Sequence, residues 1–159
     1  MFKPNIILTI VLQSAITLIV TFCIYMFFAF LDNDFGFDGL FGLIFFQPII
    51  AVVVSGLTII LCLIVGLPIR LNNKLNYWWI SNFYIPILGT IIGLSLMLLA
   101  ILPLFLETVT ATIDGQETLK QIPNLTLILV GWFLTAFSFL HIFPPHWLNK
   151  QIKNLFQKD

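Results

Sequence analysis

Four apolar stretches, each long enough to cross a bilayer, constrain this chain more than any other feature. A hydrocarbon core of about 30 Å takes about 20 residues of helix. The stretches lie at about residues 5–30, 40–67, 85–106 and 124–143. Backbone polar groups find no water inside lipid, so each stretch must close its own hydrogen bonds as a helix. The runs are continuous rather than alternating, which argues against a β-barrel. Composition agrees. Of 159 residues, 60% are hydrophobic and 9% charged, against about 25% charged in a soluble domain. The expected fold is an all-α membrane protein. Residues 1–143 are expected to form a four-transmembrane-helix bundle.

Prolines punctuate the helices. Pro4 stands ahead of the first stretch, where a helix tolerates it. Pro48 divides the second stretch, and the 19 residues Ile49–Leu67 suffice to span. Leu40–Gln47 is then a kinked extension or a short interfacial helix, with Asp38 as its cap. Pro68 is expected to close helix 2, and Pro103 to bend the last turn of helix 3. Pro123-Asn124 opens helix 4, and Pro144-Pro145 stops it. The first stretch is longer than the roughly 7–15 residues of a signal-peptide core, and no small-x-small site follows it. It is expected to be a retained helix.

Charge sets the expected orientation. Lys3, Arg70, Lys74, Lys150, Lys153 and Lys158 lie before helix 1, between helices 2 and 3, or after helix 4. These are six of the seven cations. The 1–2 loop holds Asp32, Asp34 and Asp38 with no cation. The 3–4 loop holds Glu107, Asp114 and Glu117 against Lys120. The positive-inside rule therefore predicts both termini in the cytoplasm. Richness in Ile, Phe, Asn and Lys suggests a bacterial plasma (inner) membrane. Arg70, Lys74, Trp78 and Trp79 are expected interfacial anchors. Residues 146–158 read as a short C-terminal amphipathic interfacial helix, with Leu148, Ile152, Leu155 and Phe156 at helical spacing. Trp147, Lys150 and Lys153 would anchor it.

Residues for chemistry are few. The expected helices carry no Asp, Glu, Lys or Arg near their centres, where proton-coupled transporters and voltage sensors need them. Small multidrug exporters are of this size and depend on a membrane-embedded glutamate in helix 1. Here Gln13 and Thr17 occupy that depth and cannot exchange protons near neutral pH. Cys23 and Cys62 fall at opposite depths, too far apart for a disulfide. His141 and His146 have no Cys or carboxylate nearby in sequence, so a metal site is a weak reading. Asp32-Asn33-Asp34 offers oxygens but not the spacing of a calcium loop. No catalytic residue, metal ligand or cofactor is expected. Without a basic block, nucleic acid is not an expected partner.

The positive signal is packing. Thr9, Gln13, Thr17 and Thr21 recur four apart, so one face of helix 1 is polar along its length. Gly89 and Gly93 make a GxxxG step in helix 3. Gly131, Thr135 and Ser138 share a face of helix 4. Such residues let helices approach closely and hydrogen-bond across the contact. Gln13 is expected to find Thr or Ser hydroxyls on a neighbouring helix, or water. The expected function is association without catalysis, as an accessory subunit or a self-assembling oligomer. Its partners would be the lipid bilayer and either further copies or another membrane protein. The alternative is a small channel or transporter using the polar face of helix 1.

Overall fold

The computed structural model describes residues 4–31, 37–113 and 116–143. The expected tail at 146–158, with Trp147, Lys150 and Lys153, lies outside the described residues, as do His146, Asp32 and Asp34. The chain is mostly helical. Helix α1 covers Pro4–Leu31. Helix α2, Phe37–Phe41, runs through a π turn at Gly42–Phe46 into α3, Gln47–Leu71. Helices α4, Asn73–Ser81, and α5, Tyr84–Ala100, follow. A hairpin of β1, Glu107–Ile113, and β2, Gln116–Ile122, leads to α6, Leu125–Leu140.

Among the described residues, two helices are long and apolar enough to cross a membrane, or three if α4 and α5, bent by 71°, count as one span. Helix α6 has 16 residues. The chain reverses at each end, so α1, α3, α5 and α6 pack alternately antiparallel. Tyr25 meets Gln47 at one end, the hairpin end. Gln13 meets Ile142 at the other, the Arg70 end.

Pro68 and Pro103 act differently from the sequence expectation, and of the two readings at Pro48 the extension holds. Pro48 neither breaks nor detaches the helix. A proline ring presses on the carbonyl four residues back. The π turn widens the helix at that place, with Gln47 N–H donating to Gly42 O, five residues back. The apolar segment Asp38–Leu71 is therefore continuous over 34 residues. Asp38 lies in the first turn of α2 rather than at its cap. Pro68 is inside α3, which continues to Leu71. Asn72 then starts α4, its side chain accepting from Lys74 N and Leu75 N at 2.9 and 3.3 Å. Pro103 ends the third helix instead of bending it. The residue before a proline is pushed out of the helical region, and Leu102 has φ −73° and ψ 144°. Helix α5 therefore stops at Ala100, six residues short of the expected end.

The expected 3–4 loop is largely a β-hairpin. Its strands pair from Glu107↔Ile122 to Ile113↔Gln116. Asp114-Gly115, between the last pair in sequence, is a typical dipeptide of two-residue hairpins. Asn124 fastens the return. Its N–H donates to Ala100 O at 3.1 Å, and its side chain accepts from Leu127 N at 2.9 Å, capping α6.

Helices α5 and α6 form the tightest contact. A Cβ on Gly93 would overlap Thr135 Oγ1 and come within 2.7 Å of Gly131 O. One on Gly131 would come within 2.6 Å of Gly93 O. One on Gly89 would overlap Ser138 Oγ. The small residues of helices 3 and 4 thus meet each other. A second core joins α3 to α6 through Ile59, Cys62, Ala136 and Leu140, with Leu18 of α1 against it. Trp132 Nε1 donates to Thr58 Oγ1 at 2.9 Å, and that hydroxyl donates to Val54 O at 2.8 Å.

Candidate functional site

The polar stripe of α1 faces inward. Gln13, Thr17 and Thr21 are 9%, 0% and 1% exposed, and Thr9 is half-buried. The hydroxyls of Thr17 and Thr21 donate within α1 rather than across the contact. Thr17 Oγ1 donates to Gln13 O at 2.7 Å and Thr21 Oγ1 to Thr17 O at 2.8 Å. A hydroxyl that bonds back to its own helix has spent its proton there. Thr135 Oγ1 and Ser55 Oγ are buried without a hydrogen-bond partner. These hydroxyls serve close packing.

Gln13 is different. Its Nε2 donates to Ile142 O at 2.8 Å, and its Oε1 accepts from an Arg70 Nη at 3.0 Å. Its partners are a backbone carbonyl and a guanidinium, not the hydroxyls expected. The reason lies in α6. The last carbonyls of a helix have no partner within it, and a buried carbonyl left unpaired costs free energy. Three consecutive residues at that end each receive a side-chain donor from a different helix. Arg70 of α3 donates to Leu140 O at 3.1 Å. Trp79 of α4 donates through Nε1 to His141 O at 2.8 Å. Gln13 of α1 takes Ile142 O. Together these donors form a collar around the end of α6. The cation also suits the negative end of the helix dipole.

Aromatic contacts complete the collar. The Arg70 guanidinium lies 5.5 Å from the centre of the Phe143 ring. Phe137 stacks on His141 at 4.4 Å, and Trp79 meets Phe137 edge to face at 6.2 Å. His141 is fully buried. Its Nδ1 lies 2.8 Å from Phe137 O, which favours the tautomer with the proton on Nδ1. Its Nε2 is buried without a partner. The ring lies over Gly66, where any Cβ would overlap it.

The expected anchors therefore divide. Arg70 and Trp79 turn inward to the collar, whereas Lys74 and Trp78 are exposed. Among the described residues, no three His, Cys, Asp or Glu side chains converge, and Cys23 and Cys62 are both free thiols. Among the described residues, the collar sets side-chain donors from three helices against the carbonyls of residues 140–142. Neither a family model, nor a curated protein, nor a solved structure matches the chain.

Proposed function

We propose that the chain is a non-catalytic multi-pass subunit of a bacterial plasma membrane, acting by association with another membrane protein or with further copies of itself. The observation that carries this reading is the inward-facing stripe. Gln13, Thr17 and Thr21 are used within the chain, which leaves them no role as a polar path. That favours association over the channel or transporter alternative.

Four crossings with both termini cytoplasmic remain the best reading of the topology. Helices α5 and α6, with 17 and 16 residues, are about 26 and 24 Å long. A bilayer thins, or flanking residues extend, to meet short helices at modest cost. Arg70 and Lys74 lie at one end, as the positive-inside rule asks. The acidic hairpin would then face outward. A two-stranded hairpin has two unpaired edges and is marginal alone. That supports a partner at the outer face.

The test is cross-linking in native membranes. Leu119, 77% exposed on β2, is replaced by Cys in a Cys23→Ser background. A bismaleimide should yield one discrete adduct heavier than the 18.1 kDa chain. Monomer alone at every linker length would overturn the association reading. Ion or solute flux through the reconstituted chain that falls on Thr17→Val would favour the alternative.

A further inference from the structure

A cavity of about 500 Å³ opens at the hairpin end, between α1 and the α5–α6 pair. Tyr25, Phe28, Met97, Ile128 and Trp132 give it an apolar, aromatic wall. None of its lining residues is charged. One polar pair marks it, with Tyr25 Oη donating to Gln47 Oε1 at 2.9 Å. That bond holds the Gln47 carboxamide at the wall, and a carboxamide carries two further N–H donors.

We infer that this cavity binds a lipid-soluble amphiphile with a long apolar tail and an uncharged, hydrogen-bond-accepting head. Volume fits, since pockets of about 300–1,000 Å³ enclose compact ligands. Chemistry fits as well. An apolar void left empty forfeits dispersion contacts along its whole lining, and water is held only where several polar partners converge. In a bilayer the filler at hand is an alkyl chain. The head is assigned as uncharged because burying an anion or cation against this wall would leave it unpaired. The Gln47 N–H groups supply donors for a hydroxyl or carbonyl oxygen. The inference rests on the membrane placement and not on the partner reading. Cross-linking that fails while ligand binding persists would sink only the latter.

The experiment uses the full chain in phosphatidylcholine vesicles with a diazirine-bearing hexadecanol, and adducts are located by mass spectrometry. Labelling should concentrate on Met97, Ile128 and Trp132, saturate, and be competed by unlabelled hexadecanol. Ala29→Phe and Ile128→Trp, each filling the cavity, should abolish the saturable part. Protection of Cys62 from thiol reagents shows in each variant that the bundle is folded. Gln47→Leu should weaken competition by hexadecanol about tenfold, as loss of one hydrogen bond does, and leave competition by hexadecane unchanged. Uncompeted labelling spread over lipid-facing residues such as Val52 and Ile64, or labelling undiminished in both folded, filled variants, would overturn the inference.

Discussion

Arg70→Met is the sharpest perturbation of the collar. It removes the donor that Gln13 Oε1 and Leu140 O share, at 3.0 and 3.1 Å. A hydrogen bond from a charged donor contributes about 1.5–3 kcal/mol. Arg70 is only partly buried, so the lower figure applies to each bond, and the loss is about 3 kcal/mol. The carbonyl orphaned by the substitution keeps a desolvation cost of its own. Cys62 supplies the assay, because it is 3% exposed and packs against Leu140, beside the collar. In a Cys23→Ser background, labelling of Cys62 by a thiol-reactive fluorophore reports opening of the bundle. Where reclosing is faster than labelling, the rate follows the open population. A loss of about 3 kcal/mol then accelerates labelling by about a hundredfold. Arg70→Lys should fall between, since its ammonium keeps the charge but lacks the planar, fixed geometry with which one Arg70 Nη serves both acceptors. An unchanged labelling rate in Arg70→Met would refute the collar as a source of stability.

Other substitutions test neighbouring parts of the account. Gly93→Ala should destabilise the bundle by about 1–3 kcal/mol through overpacking against Gly131 and Thr135, whereas Gly56→Ala, with nothing within 4 Å, should be neutral or slightly favourable, as read by thermal denaturation in detergent. Gly66→Ala should be harmful alone and better tolerated with His141→Ala, which clears the overlapping ring; a double-mutant cycle with no coupling would contradict that contact. Gln13→Leu should disturb expression and monodispersity more than Thr9→Val, because it leaves Ile142 O without its donor; equal and negligible effects would count against it.

How much of this was legible in the chain depends on the range of each interaction. The start of α6 was readable because Pro123-Asn124 acts locally, as a stop and a cap. The small residues Gly89, Gly93, Gly131, Thr135 and Ser138 were readable as packing faces because helical spacing places them. The hairpin was also within reach. Thr108, Val109, Thr110, Thr112 and Ile113 are β-branched and lead into Asp114-Gly115, but charge and position between two apolar stretches suggested a loop. The π turn was less accessible, since Pro48 alone permits a kink, a break or a widened turn. The collar was out of reach. Gln13 and Ile142 are 129 residues apart, and a bond to a backbone carbonyl leaves no mark on the identity of the residue that carries it. Arg70 and Trp79 looked like anchors because the residues suited to an interface are also those suited to capping a helix end beside it.

Gln13, Thr17 and Thr21, the buried part of the α1 polar face, find their hydrogen-bond partners within one chain. Thr17 lies at its middle and is fully buried. Thr17→Cys, in the Cys23→Ser background and in native membranes, measures this directly with a water-soluble methanethiosulfonate reagent. No reaction is expected at residue 17 until the protein is denatured, matching the protection of Cys62. Rapid modification of the folded protein at residue 17, with Cys62 still protected, would instead place water along the stripe.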